Sequence, residues 1–301
     1  MQSAPNPQPG WGILWMILTG LQFVGVTAFV KLTGTRIPAV EAAFLRYVLG
    51  LVFLLPLLGA LARMRTSRGT WGLFLARGAA HSMGVGLWFY AMARIPIADV
   101  VAMNYLNPIY VTLGAALFFK EKLALRRILA VLVALLGALI ILRPGFREVG
   151  AGHLAMIFTA IAFGGSYLLA KILADRCSPG LVVAMLSITV TIALAPVALS
   201  VWVTPTLYEL TMLAAVACFA TGGHYTMTLA FRAAPLTVTQ PVTFLQLVWA
   251  VLVGMVFFNE PFDPFVILGG LVIVSAVTFI SWREAVLKRR AMTPVSTATK
   301  V

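Results

Sequence analysis

Residues Gly12–Lys31 read GILWMILTGLQFVGVTAFVK, and residues Gly152–Lys171 read GHLAMIFTAIAFGGSYLLAK, 140 positions later. Aligned without gaps, they share Gly, Leu, Met, Ile, Thr, Phe, Gly and Lys at eight of 20 positions. The correspondence continues. Pro56 and Pro196 hold the register of 140, which then becomes 139. Pro96 then meets Pro235, Leu106 meets Leu245, and Phe118-Phe119 with Glu121 meet Phe257-Phe258 with Glu260. One unit is written twice, so both halves must adopt the same fold.

The unit is built for lipid. Of 301 residues, 61% are hydrophobic and 10% charged, and the mean hydropathy is +1.00. A water-soluble domain of this length could not hide so much apolar surface. A spanning helix needs about 20 apolar residues. Ten such runs separate at charged and Pro/Gly-rich points, over 12–30, 39–62, 70–93, 96–119, 127–142, 152–172, 180–203, 209–231, 236–258 and 264–282. The predicted fold is an all-α integral membrane protein of ten transmembrane helices. Its parts are a short cytosolic N-terminus (1–11), two five-helix repeats (12–146 and 147–283) and a basic cytosolic tail (284–301), expected to be disordered from Lys288 on. The opening MQSAPNPQPGW lacks a positive n-region and a cleavage site, so the first run reads as a retained span.

A net charge of +13 could suggest nucleic acid as a partner. The basic residues instead lie between apolar runs, as topology signals do. Fifteen fall on the side of the N-terminus: Arg63, Arg65, Arg68, Lys120, Lys122, Arg126, Arg127, Lys171, Arg176, Arg232, Arg283, Lys288, Arg289, Arg290 and Lys300. Five fall opposite: Lys31, Arg36, Arg94, Arg143 and Arg147. Both termini are therefore expected in the cytosol. Five helices per repeat is odd, so the second copy enters the membrane inverted, and two inverted halves can open a shared cavity to each side in turn.

These features resemble the ten-helix EamA-type family of the drug/metabolite transporter superfamily. The local phrases that carry the resemblance are AAFLRYVLGLVFLLP, Ala76-Arg77-Gly78, WFYAMARIPIADVVAMNYLNPIYV, FFKEKL and LRPG. It covers about residues 12–283. It implies a polytopic inner-membrane carrier of small organic solutes, and no phrase in it names one. The small four-helix drug exchangers of the superfamily use a glutamate in their first helix. Here that region carries the neutral Gln22, opposite Ala162 in the second copy. Glutamine neither carries the proton nor pairs with a cation, which argues against that exchange scheme.

Gln22 could touch a solute or tie two helices together. No Asp or Glu stands mid-span. Glu41 and Asp99 lie near outer helix ends, and Glu121 and Glu260 follow aromatic pairs where capping is the expected job. Arg46 and Arg77 lie inside spans 2 and 3. Each costs about 2.5–3.5 kcal/mol at a bilayer centre, eased by snorkelling over about 10 Å at 1.5 Å per residue. They read as structural bonds to loop carbonyls or a neighbouring acid, with an anion or carboxylate clamp as the alternative. His81 and His224 could shuttle protons or simply join helices. Cys177 and Cys218 fit no disulfide or metal pattern.

The candidate pocket is polar and aromatic. It draws Gln22 from span 1, His81 and Trp88 from span 3, and Asn104, Tyr105 and Asn107 before Pro108 in span 4. The second half adds Tyr167 beside Ser166 in span 6, His224 and Tyr225 in span 8, and Gln246 and Trp249, after Gln240 and Pro241, in span 9. Asn107 and Gln246 are repeat equivalents, which would bring both amides to one cavity. Such a lining suits a neutral or zwitterionic solute, amino-acid-like or flavin-like. The expected function is secondary transport of a small metabolite across the inner membrane, without cofactor, metal or nucleic acid, by a monomer or homodimer in lipid. A membrane enzyme on a lipid-linked substrate and a non-transporting scaffold are the alternatives.

The charge bias makes a direct prediction. A reporter that fluoresces only in the cytosol, fused after Val301, should fluoresce, and a periplasm-dependent phosphatase fused there should be inactive. The opposite pattern would reverse the assigned topology.

Overall fold

The computed structural model describes residues 9–53, 67–107, 109–110, 113, 125–143, 145–146, 148–174, 176–177, 179–233 and 242–292. Pro56, Arg63, Arg65, Pro108, Phe118, Phe119, Lys120, Glu121, Lys122, Arg147, Pro235, Gln240, Pro241 and Lys300 lie outside these residues. So do the side chains of Arg126, Arg127, Lys171, Arg232 and Lys288–Arg290.

Among the described residues, ten helices stand where the ten apolar runs lie. They are α1 (Pro9–Thr33), α2 (Ala39–Gly50), α3 (Arg68–Met92), α4 (Ile97–Asn104), α5 (Leu125–Leu142), α6 (Ala151–Ala174), α7 (Pro179–Ser200), α8 (Leu207–Ala233), α9 (Phe244–Phe258) and α10 (Pro264–Met292). Three stretches, Gly10–Thr33, Ala151–Ala170 and Leu181–Ser200, are long and apolar enough to cross a membrane. Shorter apolar helices cover Ile128–Leu142, Leu245–Phe258 and Pro264–Ile280. One expectation needs correcting. The stretch read as a disordered tail begins as helix, because α10 runs on to Met292. Glu284, Ala285, Leu287, Lys288, Arg289 and Arg290 are strong helix formers, and basic side chains suit a helix C-terminus.

Capping residues fix where helices start and stop. Thr206-x-x-Glu209 is a capping box at the head of α8. The Thr206 N–H donates to Glu209 Oε2 (2.7 Å), and the Glu209 N–H donates to Thr206 Oγ1 (3.3 Å). Ser67 accepts the Thr70 N–H ahead of α3 (3.3 Å). Gly34, at φ 77, turns the chain out of α1. Asn259, at φ 52, ends α9 in a left-handed turn, and the Glu260 N–H then returns to the Gly254 carbonyl (3.0 Å).

Helix pairing follows the repeat. α1 packs along α8 as α6 packs along α3; α1 meets α9 as α6 meets α4; α2 meets α8 as α7 meets α3. The pairs α2–α7, α4–α9 and α5–α10 join each helix to its own equivalent. Lys31, closing α1, reaches the Ile95 carbonyl just before α4 (3.1 Å), and His153, opening α6, meets Asp99 in the first turn of α4 (2.9 Å). The end of α1 and the start of α6 thus share one end of the bundle, so equivalent helices run in opposite directions.

Close packing rests on missing side chains. A Cβ on Gly84 would lie 2.6 Å from the Phe163 ring, and one on Gly223 would lie 3.3 Å from the ring of Phe23. Phe23 and Phe163 are repeat equivalents, as are Gly84 and Gly223, so the same ring-on-glycine contact is used twice. α5 and α10 approach backbone to backbone: a Cβ on Gly269 would sit 2.5 Å from the Gly137 carbonyl oxygen. The far side of α5 is an exposed apolar stripe of Leu129, Leu132, Val133, Leu136 and Leu139. Gly269→Val should therefore splay α5 from α10 and cost about 1–3 kcal/mol or more by overpacking. Thermal unfolding of the detergent-purified protein should show a lowered Tm, and an unchanged Tm would mean the helices are not held this closely.

Candidate functional site

Three groups of polar and aromatic side chains occupy the helix seams. In the α1–α8 seam the Thr226 hydroxyl donates to Gln22 Oε1 (3.0 Å) and lies 2.9 Å from the Thr19 hydroxyl. Gln22 therefore joins two helices, the second of its two expected readings, while its side chain stays half-buried. Phe23 meets His224 edge-on, with centroids 5.3 Å apart. His224 is exposed, and Tyr225 is 67% exposed, off the face that packs on α1.

The second group joins α2, α3 and α6. His81 Nε2 lies 3.0 Å from the Tyr47 hydroxyl and its Nδ1 lies 3.1 Å from the Ser166 hydroxyl, so both ring nitrogens are satisfied. Its ring stacks at a tilt on Phe163, 4.8 Å away. Phe163 also meets Trp88 (6.2 Å) and Tyr167 (6.2 Å). This aromatic row brings together His81, Trp88 and Tyr167, three of the residues singled out from sequence. Tyr167 is 42% exposed despite its place in the row. No feature of the sequence marks Phe163 as the hub, beyond its match to Phe23 in the repeat.

The third group sits where α4 meets α9. The Tyr105 hydroxyl donates to the Thr243 carbonyl (2.8 Å). Asn107 Nδ2 donates to Asn104 Oδ1 (2.8 Å), one turn back on its own segment. Gln246 packs on Gly20 of α1, where a Cβ would lie 3.4 Å from its own Cβ. The described contacts thus place Asn107 and Gln246 on adjoining elements, with the Asn107 amide group turned toward Asn104. Three atoms in these groups are buried without a partner: Trp88 Nε1, Asn107 Oδ1 and Trp249 Nε1. A buried polar group left unpaired costs about 1–3 kcal/mol, and native structures leave few of them.

Sequence reasoning missed the polar clasp at one end of the bundle. Lys31 pairs with Glu260, Arg36 with Glu209, Arg143 with Asp263, and His153 with Asp99. Glu260 also accepts the Ile97 N–H at the head of α4 (2.9 Å), so its expected capping role holds, although it caps another helix. Glu41 accepts the Val203 N–H (2.9 Å). Arg36, in the loop after α1, is held above its ordinary pKa by the hydrogen bond to Glu209, with desolvation opposing. The repeat register could have flagged Lys31 and Glu260, whose equivalents are also Lys and Glu. Nothing in the sequence said they would meet. Among the described residues, no group of three His, Cys, Asp or Glu side chains could hold a metal, and Cys177 and Cys218 are free thiols.

A family model described as the EamA-like transporter family matches the chain twice, over residues 10–143 and 150–282. The chain is 30% identical to a riboflavin transporter of Rhizobium johnstonii over 93% of each chain. It is 29% identical to a pseudopaline exporter of Pseudomonas aeruginosa, covering 90% of this chain and 95% of that one. It is 25% identical to an S-adenosylmethionine uptake transporter of Rickettsia bellii, covering 91% and 94%. A solved crystal structure shares the fold with a TM-score of 0.57 at 17% identity, over 92% of this chain and 99% of that chain.

The unpaired indole nitrogens predict an unusual split. Trp88→Phe removes a buried donor that has no acceptor, so the Tm should hold or rise by what about 1–3 kcal/mol supplies. Solute binding, followed by calorimetry, should weaken in the same variant. A fall in Tm with binding intact would make Trp88 a packing residue only.

Proposed function

The chain belongs to the EamA-like transporter family, and on that premise we propose that it is a secondary carrier of a small organic metabolite, working by alternating access in the cytoplasmic membrane. The observation that carries this reading is the exchange symmetry of the helix contacts, with equivalent helices running in opposite directions. Such a frame has two related arrangements, in which one half packs against the other as its equivalent does now. In this reading the clasp of Lys31, Glu260, Asp99 and His153 lies on the outer side, both termini face the cytosol, and the exposed leucines of α5 face acyl chains.

In this reading the solute cavity opens between α1, α3, α4, α6, α8 and α9. Gln22, His81, Trp88, Asn104, Tyr105, Asn107, Tyr167, His224, Tyr225, Gln246 and Trp249 are its proposed lining. The orphaned atoms of Trp88, Trp249 and Asn107 supply two donors and one acceptor. Flanked by aromatic rings, they suit a flat or amino-acid-like solute with its own acceptors and donors. The relatives above are named for riboflavin, pseudopaline and S-adenosylmethionine, which supports solutes of this size. These carriers favour transport over an enzyme or a scaffold. Exchange needs no buried acid, so the gradient of the solute itself is a sufficient driving force.

Purified protein in sealed vesicles should move a solute from a metabolite panel without ATP. Asn107→Ala and Gln246→Ala should each reduce that flux about tenfold, as loss of one or two solute hydrogen bonds would, with the amount of protein in the membrane unchanged. Normal flux in both variants would remove these amides from the pathway, and no flux from the native protein would remove the carrier.

A further inference from the structure

Arg46 and Arg77, inside α2 and α3, stand apart from the clasp. Arg77 is 7% exposed inside α3. Its Nη1 donates to the Val182 carbonyl in the first turn of α7 (3.0 Å), a helix carbonyl where a loop carbonyl or an acid was expected, and its Nε is buried with no partner. Arg46 of α2 lays its guanidinium 4.1 Å from the centre of the Tyr47 ring. Among the described residues no carboxylate pairs with either arginine. Glu209, Glu260, Asp263 and Asp99 are engaged at the clasp, and Glu41 there caps the Val203 N–H.

The two arginines share one neighbourhood. Arg46 lies over the Tyr47 ring, the Tyr47 hydroxyl lies 3.0 Å from His81 Nε2, and His81 stands one turn after Arg77 on α3. Three helices, α2, α3 and α6, thus converge on a positive region, joined through Tyr47, His81 and Ser166. Tyr167, next to Ser166 on α6, is 42% exposed at its edge. A buried cation without a counter-charge is costly, and an incoming anion removes that cost. Guanidinium is also the side chain whose donor fork fits carboxylate and phosphate oxygens. The repeat does not supply the pair twice: Leu186 stands at the position of Arg46, and Val216 or Ala217 at that of Arg77. The charge belongs to one half only, which no requirement of the two-fold frame explains.

We propose that Arg46 and Arg77 form an oxyanion subsite that holds the carboxylate or phosphate of the carried solute. The proposal rests on the carrier reading above and adds the class of solute: one bearing an acidic group, anionic or zwitterionic. The acid would meet the free Arg77 Nε and the Arg46 guanidinium, while the rest of the solute lies along the Phe163 row toward Trp88.

Matched probes that differ only in the acid test this: riboflavin against its 5′-phosphate, and phenylalanine against its amide. Binding is measured by calorimetry on full-length protein in neutral detergent without added lipid. In at least one pair the acid-bearing member should bind about tenfold or more tightly, the scale of one charge-assisted hydrogen bond. Arg77→Gln and Arg46→Gln should each abolish that preference and leave the affinity of the neutral member unchanged. Arg77→Lys, which keeps the charge, should retain part of it and guards against misfolding of the glutamine variant. Equal binding of both members in every pair, or a preference that survives both glutamine variants, overturns the proposal. Added phosphatidylglycerol supplies the other source of the same oxyanion. If it binds in an Arg46- and Arg77-dependent way and the acid probes do not displace it, the subsite is a lipid site and the solute assignment falls. Flux separates this proposal from the carrier reading. Native protein that moves a solute with no acid preference loses the subsite and keeps the carrier. Acid-selective, arginine-dependent binding without flux keeps the subsite and loses the carrier.

Discussion

The contact of a phenylalanine ring with a helix that has no side chain to offer sets the geometry of this protein. Phe23 lies on Gly223, and Phe163 lies on Gly84. In lipid, apolar helices gain nothing by burying leucine against leucine, so association depends on close van der Waals fit and on hydrogen bonds between helices. The two glycine contacts provide the fit. The Gln22–Thr226 bond across α1 and α8, and the Thr159 hydroxyl reaching the Gly84 carbonyl across α6 and α3 (3.4 Å), provide the bonds. Each ring also borders the candidate cavity, because Phe23 meets His224 and Phe163 meets His81, Trp88 and Tyr167. Packing and site therefore share the same residues.

The clasp works by a different principle. Ion pairs are weak where water competes and stronger where one partner is buried and further bonded. Lys31 and Glu260 are both mostly buried, and each makes a second bond, to the Ile95 carbonyl and the Ile97 N–H. The pair thus joins the end of α1, the turn before α4 and the turn after α9. Asn259 makes this possible: its left-handed turn stops α9 and directs Glu260 back over Gly254, where any side chain would collide with the carboxylate.

Much of the fold was legible because the repeat and the apolar runs are properties of neighbouring residues. Spacing alone placed ten helices, and parity alone called for inversion, which Lys31 and His153 then met at one end of the bundle. The site was legible in kind and less so in detail. Hydropathy identified His81, Trp88 and Tyr167 as polar or aromatic groups at depth, but not that Phe163 gathers them. Gln22 carried two readings of equal standing, and only the position of Thr226, more than 200 residues away, shows it as an interhelical bond. The His153 pair is not legible in sequence because its partner, Asp99, lies 54 residues away and reads only as an acid near a helix end. The last helix outran its expected end because hydropathy falls at Arg283 while helix propensity does not.

A frame that maps onto itself treats its two faces alike, and so cannot by itself orient a solute. Orientation has to come from positions where the copies differ. Gln22 faces Ala162 in the alignment, and that difference is spent on joining α1 to α8. His81 and His224 fall at different places in the two halves, one fully bonded and buried, the other exposed. Arg46 and Arg77 are the largest departure, since their equivalents are apolar and their charges have no described acid beside them. In a medium where an unpaired cation is expensive, the two arginines are the feature least accounted for by folding alone. A solute with one acidic end would enter such a frame in a single orientation, with its acid toward α2 and α3. The symmetric scaffold would then supply the motion, and the asymmetric charge would decide which end of the cargo each half holds.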